Sequence, residues 1–528
     1  METTTSASPS RVRRMITTLT PNLAYADWLC AAASAVLLAL CFPPFEQSYL
    51  IFIALVPALW RIQDNNTQRN LYIGLATGFL YNLILLHWLI HVTGPGMILL
   101  AFVAGIPLIF PFWVWGALCG SWYRIPAFAL SWCLVEYLRS IGPFAFAWGF
   151  VGHATFTTFY TLTLMQAVEW LGIIGLSFLL AGFNASFAIV LHRFWFWALK
   201  QSPPQDVIAT FKPSILFCTL FTLTLLWNVY LGVIATLNHS KILPHENPVN
   251  FRVALIQGSF KQDAKESASV DEMLSRYLDL SRQAMAENPD LIIWPESTVP
   301  YPLNLWHDGL RQVISFVKEN DVELLLGSVH AELTSDDKVL YYNRALHLRP
   351  DKINAEDPTE MILRNVDSYD KMHLVPYGEW IPGGQYWPFY YIETLIEEAG
   401  AGIFQPGKKQ TIFETRKGYR FAVMICFEST LSWQARSAKK KGVNFLVNIT
   451  NDAWFKRSAG LRQHFIQSQF RAVEARVPLL RAANTGITGK ISPTGGYDVI
   501  PDNAPEYYIA ALRLGAKSDV SKPTNYIE

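Results

Sequence analysis

Cysteines, charged side chains and net charge are all in short supply in this chain, and each shortage excludes something. Six cysteines occur in 528 residues, and five of them (Cys30, Cys41, Cys119, Cys133 and Cys218) precede residue 237. Cys426 is alone in everything that follows. The second half therefore closes no internal disulfide and offers no metal site built on cysteine pairs. Lysine and arginine number 43 against 42 acidic residues, which gives no electrostatic case for a nucleic-acid partner. Charged residues make up 16% of the chain, well under the roughly 25% of an average soluble domain. Internal repeats and low-complexity tracts are also missing.

The charge deficit is uneven. Residues 25–237 are mostly apolar and aromatic, whereas residues 250–528 have the make-up of an ordinary soluble protein. The chain is too long for one core, so a membrane half followed by a soluble half is expected. Seven apolar segments are expected to be helical: 25–42, 49–60, 71–90, 96–118, 125–138, 159–191 and 213–237. A helix needs about 20 residues to cross a bilayer, so the second and fifth are short. Arg11, Arg13 and Arg14 precede the first segment. A cleaved signal peptide is rejected, because further spans follow and no cleavage site stands out. The even-numbered connections carry Arg61 and Arg69, then Arg124, then Arg193, Lys200 and Lys212, while the odd-numbered ones carry only Arg139. By the positive-inside rule the N-terminal tail, residues 1–24, is cytoplasmic. Seven crossings then place the soluble half outside the cytoplasm. Gly142 to Gly149 is too broken for a span. It reads either as a segment lying in the interface beside the soluble domain or as a packed loop. Glu136 and Glu169 lie within or near spans, where ionisable groups are often functional, or at the interface.

A linker, 238–250, holds Pro244 and Pro248. After it, strands are expected at Phe251–Gln257, Leu291–Trp294, Glu323–Gly327, Tyr341–Leu348, Phe421–Ile425 and Asn444–Ile449. Helices are expected near 269–287, 308–319, 431–441 and 461–476. Strands alternating with helices argue for a layered α/β or α+β fold. The glycosylation-type matches at Asn238 and Asn448 read as incidental.

The apolar run Phe421–Ile425 ends on Cys426, with Glu428 two residues later. Taken alone, this reads more readily as a core cysteine on a core strand. Two other apolar strands end in charge. Leu291-Ile-Ile-Trp-Pro-Glu296 is one, and Tyr369 to Glu379, holding Lys371, His373 and Glu379, is the other. A nucleophilic thiol needs a base and a partner for the oxyanion it creates. A glutamate, a lysine and a cysteine supply all three functions, and His373 and His464 keep a Cys/His pairing open. Both histidines also suit hydrogen-bonded structural roles. Trp294 and Trp454 read as packing or as substrate contacts, and Asn343 and Asn451 as site-lining or turn residues. Arg471, Glu474 and Arg476 share one expected helix and suit ion pairs.

These three strand-end motifs, in this order and spacing, resemble the nitrilase (carbon–nitrogen hydrolase) superfamily. Asn448 to Phe455, Gln463-His464, Arg471-Ala472 and Arg481 to Gly489 extend the match. With the seven-span half in front, the chain resembles the apolipoprotein N-acyltransferase family over nearly its whole length. The resemblance implies a polytopic α-helical membrane domain, 25–237, and a nitrilase-like four-layer α-β-β-α sandwich, 251–513, followed by a polar tail, 514–528. It implies Glu296 as general base and acid, Lys371 as electrostatic stabiliser and Cys426 as nucleophile, with Glu379, Phe427 and Glu428 in support. Trp294, Asn343, Asn451, Trp454 and His464 are candidate substrate contacts. The implied donor is a membrane phospholipid, typically phosphatidylethanolamine. The implied acceptor is the α-amino group of an apolipoprotein's diacylglyceryl-cysteine. Transfer would run ping-pong through a cysteine thioester, in a monomer of the bacterial inner membrane, without metal or cofactor.

Three features depart from the family. The loop Gln257 to Glu266 has no tryptophan, Phe427 stands where tyrosine is usual, and no final apolar span follows Tyr507 to Leu512. The last implies a C-terminus that stays with the soluble domain. Two rivals remain: a membrane-tethered amidase using the same triad with water as acceptor, and an inactive binding scaffold.

Overall fold

The computed structural model describes residues 25–142, 144–156, 163–199, 205–241, 249–260, 269–298, 301–353, 365–380, 404–500 and 506–514. They form two compact units interleaved in sequence. One gathers residues 25–137, 149–156 and 174–227; the other gathers 138–148, 163–173 and 228–514.

The first unit is helical: α1 (Tyr25–Leu40), α2 (Val56–Arg61), α3 (Thr67–Leu85), α4 (Gly94–Gly105), α5 (Ile109–Ala117), α6 (Arg124–Leu138), most of α7 (Val168–Ala198) and most of α8 (Gln205–Lys241). Each expected apolar segment coincides with helix. By length and composition, three stretches among the described residues suffice to cross a membrane: Gly94–Ala117, Val168–Ala198 and Phe211–Ile234. In the sixth segment residues 157–162 lie outside the described ones; the described residues are helical at 163–165 and from Val168 onward, with a break at Gly172, where φ is +68°. Such backbone suits glycine, which has no Cβ to clash. The last helix runs on to Lys241, past the expected end at 237.

Polar side chains inside this unit saturate backbone groups that lipid cannot. Asn184 donates to the Ile51 carbonyl at 2.8 Å and accepts from Leu55 N–H at 2.9 Å. Glu136 accepts from Trp132 Nε1 at 2.9 Å and from Val151 N–H at 2.8 Å. Arg124, expected as a loop cation, is buried instead. It donates to the carbonyls of Trp115 and Ile62, each at 2.6 Å, and its guanidinium lies 3.8 Å over the Trp115 ring.

The second unit holds two six-stranded sheets. The first runs β12 (Glu506–Leu514), β1 (Val249–Gln257), β2 (Leu291–Ile293), β3 (Glu323–Leu333), β4 (Val339–Leu348), β5 (Asp367–Asp370). The second runs β11 (Tyr497–Ile500), β10 (Thr488–Ile491), β9 (Leu479–Ala483), β8 (Phe445–Thr450), β7 (Arg420–Ile425), β6 (Ile412–Glu414). The central strands β1–β2–β3 and β7–β8–β9 are parallel. Parallel strands are covered on both faces and so read as continuous apolar runs. Alternate residues serve different cores. Phe251, Val253 and Leu255 meet Phe421, Val423 and Ile425 between the sheets. Ala254 and Ile256 belong to the core shared with α9 (Val270–Ala284) and α10 (His307–Glu319). Ala422 and Met424 pack with α11 (Ser432–Lys440) and α12 (Ala459–Ala475). The layers are therefore helix, sheet, sheet, helix.

The strand expected to end near Tyr369 is β5, which reads Asp-Ser-Tyr-Asp and so is not an apolar run, while β6 and the late strands β9–β12 were not among the expected elements. Lys490 and Asp498 break any apolar run in β10 and β11, and β9 carries Arg481. β12 closes the sheet antiparallel to β1, pairing Leu514 with Val249.

Candidate active site

Four strands end at the same place. Ile293 of β2 leads through Trp294-Pro295 to Glu296; β5 leads directly to Lys371, β7 to Cys426 and β8 to Asn451. The Lys371 ammonium sits 3.1 Å from Glu296 Oε1 and 2.8 Å from Glu379 Oε1. Asn343, on β4, donates through Nδ2 to the same two oxygens, at 2.8 and 3.1 Å. The other oxygen of Glu296 accepts from the Asn451 backbone N–H at 2.9 Å, and that of Glu379 from Val375 N–H at 2.9 Å. Burial works against the Lys371 charge. The carboxylates of Glu296 and Glu379, with Cys426 beside them, outweigh burial and hold the ammonium well above the ordinary lysine range.

Cys426 adopts φ +51° immediately after its strand, a conformation that costs a non-glycine residue free energy and needs outside support. The residue is partly exposed. Burial pushes its thiol far above the ordinary value; Glu296 adds to that rise and Lys371 opposes it. Its carbonyl accepts from Ser429 Oγ at 3.0 Å and from His464 Nε2 at 3.2 Å. A carbonyl only accepts, so Nε2 carries the hydrogen. His464 Nδ1 lies 2.9 Å from Asp452 Oδ1, and Arg481 Nη2 lies 2.7 Å from Asp452 Oδ2. Burial favours a protonated Asp452, but Arg481 and His464 outweigh it and hold the carboxyl at about 2. The donor atoms of Cys426, Asp452 and His464 lie within 4.8 Å of one another. Both Asp452 oxygens in that cluster are already engaged, Oδ1 by His464 and Oδ2 by Arg481.

Glu428 ties two strand ends together. It accepts from Tyr369 OH at 2.7 Å, Met372 N–H at 2.8 Å and His373 N–H at 3.1 Å, and through its other oxygen from Ile425 N–H at 2.8 Å. Those donors flank Lys371 on one loop and Cys426 on the other. Phe427 is buried in a column of rings. His373 stacks on Phe427 with centroids 5.9 Å apart, Phe427 on Phe146 at 6.2 Å, and Phe146 on Trp148 at 6.0 Å. Trp148 lies 5.9 Å from the His464 ring and donates through Nε1 to Gln463 at 2.7 Å. Arg139 pins this loop: its carbonyl accepts from Phe146 N–H at 2.7 Å and its Nη2 donates to the Trp148 carbonyl at 2.9 Å. The stretch expected either in the interface or as a packed loop sets its rings against Phe427 and His464, beside Cys426 in sequence and space.

The structure brings Glu296, Lys371, Glu379, Cys426, Phe427, Glu428, Asn343, Asn451 and His464 together. Trp294 is a correction. It is buried in the helix-facing core, 5.5 Å from the Tyr277 ring, and donates to Ser281 Oγ at 2.9 Å, because its strand-end position faces α9. Trp454 stays on the surface at 49% exposure. Arg471 pairs with Glu474 at 3.0 Å as expected, whereas Arg476 reaches Glu169 at 2.6 Å. Asn448 is fully buried and donates to the Met424 carbonyl, so its sequon is incidental. Part of the loop lacking tryptophan, 261–268, and the tail beyond Leu514 lie outside the described residues. Sequence reasoning missed Asp452, Arg481, Tyr369, Phe146 and Trp148. A charged residue inside an apolar stretch, as Arg481 is, was the available signal.

Residues 252–498 match the carbon-nitrogen hydrolase family, and residues 34–186 match the apolipoprotein N-acyltransferase N-terminal domain. An apolipoprotein N-acyltransferase of Geobacter metallireducens is 32% identical over 485 residues, covering 89% of this chain and 86% of its own. Apolipoprotein N-acyltransferase 1 of Treponema denticola is 27% identical over 498 residues, covering 88% and 86%. Among solved structures, an amidase from Nesterenkonia sp. aligns at 15% identity and a TM-score of 0.36, covering 51% of this chain and 92% of that one.

Proposed function

The chain belongs to the apolipoprotein N-acyltransferase family, and from that premise we propose that Glu296, Lys371 and Cys426 carry its acyl transfer. The protein is an acyltransferase of lipoprotein maturation and a multi-pass inner-membrane protein. The observation behind the triad assignment is the shared ammonium of Lys371 between Glu296 and Glu379, with Cys426 in the same electrostatic field.

A thiol held up by burial supplies little thiolate at neutral pH, so the attack needs a base at hand. Two carboxylates share one ammonium, which leaves one negative charge over to take the proton. Asn343 Nδ2 and the Asn451 N–H aim Glu296 by fixing both its oxygens. In the first half-reaction Glu296 takes the Sγ proton and sulfur attacks the ester carbonyl of a phospholipid, typically phosphatidylethanolamine. Lys371 and backbone N–H groups near Phe427 hold the oxyanion. The C–O bond breaks, and the leaving glycerol oxygen takes the proton from Glu296. The products are a thioester and a lysophospholipid. In the second half-reaction Glu296 accepts a proton from the α-amino group of a diacylglyceryl-cysteine as that amine attacks the thioester. The C–S bond breaks and the thiol is restored. The loop charges support an extracytoplasmic position for this site.

Incubating the purified enzyme with acyl-labelled phospholipid tests the assignment. A hydroxylamine-sensitive acyl adduct is expected on Cys426 and is expected to vanish in Cys426→Ala. No adduct on the parent, or an undiminished one in the variant, overturns it.

A further inference from the structure

Helix α11 presents a face that the acyl-transfer chemistry does not use. Ser432 to Lys441 contains four basic residues, Arg436, Lys439, Lys440 and Lys441, and no acidic one. Gln434, Ala435 and Ala438 face the core. Trp433, Arg436 and Lys440, spaced i, i+3 and i+7, fall on one side of the helix, and all are exposed, as are Lys439 and Lys441. Trp433 is 41% exposed.

This face lies against the opening of α7. Lys439 Nζ is 3.4 Å from Glu169 Oε1. The Arg436 guanidinium rests on Gly172 so closely that a Cβ there would meet Nη2. Arg476 reinforces the junction, reaching Glu169 at 2.6 Å and Gln166 Oε1 at 2.5 Å. Those α7 residues open the apolar helix Val168–Ala198, and Trp170 and Leu171 beside them are exposed. Arg436, Lys439 and Arg476 thus gather at Glu169 and Gly172, where an apolar helix begins, and Lys440 and Lys441 extend the basic face along α11, Lys441 also donating to the Gln410 carbonyl at 3.2 Å. Tryptophan and basic side chains together are the chemistry of a phospholipid head-group layer.

We propose that the α11 face (Trp433, Arg436, Lys439, Lys440 and Lys441) binds the phosphate groups of anionic membrane phospholipids where α7 enters the bilayer. It seats the catalytic unit on the membrane surface. The indole lies at the head-group boundary, and the cations draw on a field that salt screens. The inference is independent of the triad assignment.

The test uses the full chain in nanodiscs containing a head-group photoreactive phosphatidylglycerol, or its phosphatidylcholine counterpart, in a phosphatidylethanolamine background. Cys426→Ala protein serves throughout, so that acyl transfer cannot intervene. Mass spectrometry is expected to find the phosphatidylglycerol adduct on the peptide spanning 432–441, at least about ten-fold above phosphatidylcholine and falling as salt rises. Replacing Arg436, Lys440 and Lys441 by glutamine is expected to cut labelling about ten-fold. Arg436→Lys with Lys440→Arg and Lys441→Arg is expected to retain it. Equal labelling by both lipids, or labelling unchanged in a glutamine variant that melts at the parent temperature, overturns the proposal. If the glutamine variant fails to fold, loss of labelling in the charge-retaining variant overturns it instead.

Discussion

Two residues carry contrasting protonation problems. Burial raises the Cys426 thiol, so its thiolate forms late as pH rises. Alkylation of Cys426 by iodoacetamide is expected to climb steadily from about pH 7 to about pH 10. A plateau reached below about pH 8 would mean a preformed thiolate and no need for Glu296. Asp452 lies on the opposite side of its ordinary value, held at about 2 by Arg481 and His464 against the cost of burial. Its folded value is depressed, so its contribution is present above the unfolded value of 3.8 and is lost as pH falls through about 2. That contribution is on the order of 2 kcal/mol. The cost of Asp452→Asn in denaturant melts is therefore expected to be largest above about pH 4 and to shrink toward about pH 2. Glu428 has a structural consequence of its own. Alanine there strands three backbone donors and the Tyr369 hydroxyl, which should destabilise the unit by roughly 3 kcal/mol or more in thermal melts.

At the scale of elements, strand ends make the site and a loop completes it. β2, β5, β7 and β8 each end at the site and deliver one polar group there, β2 and β7 after an apolar run. The 144–148 loop then adds Phe146 and Trp148 to the column that holds Phe427. Ring packing does not require a hydroxyl, so Phe427 keeps the column intact without one. Phe427→Tyr is expected to leave acyl-enzyme formation within about two-fold, since the aromatic contact is retained. Phe427→Ala should lower stability by about 3 kcal/mol and slow acylation about ten-fold, because the cavity frees the backbone beside Cys426. A burst assay with labelled phospholipid, run beside thermal melts, checks both. Acylation undiminished in Phe427→Ala would show that the column has no positioning role.

At the scale of the molecule, the orientation that loop charge favours can be tested directly. Asn65, between α2 and α3, and Ser335, in the β3–β4 hairpin, are both exposed. Single cysteines at these positions are expected to react with a membrane-impermeant maleimide on opposite sides. Ser335→Cys should label in intact spheroplasts, and Asn65→Cys only after permeabilisation, each read against the parent as blank. Labelling of both from one side would contradict the positive-inside reading. Arg124 makes this test worthwhile, because one of the cations counted in that reading is buried against carbonyls.

The division into an apolar helical part and a layered α/β part was determined by the sequence alone, because burial in lipid and burial in a sheet both leave continuous apolar runs. The runs at Leu291–Ile293 and Phe421–Ile425 also marked where strands end, and charge directly after them singled out Glu296 and Cys426. The tertiary structure decided what has no local signature. β9 to β12 hold their places by pairing, not by their own pattern. Trp294 read as packing or as a substrate contact, and its strand end, turned toward α9, makes it packing. Asp452, His464 and Arg481 meet through contacts between β8, α12 and β9, and Phe146 reaches Phe427 across about 280 positions of chain, a closure whose cost only the assembled contacts offset. Periodicity reports which face of an element is covered, and only the packed fold reports what covers it.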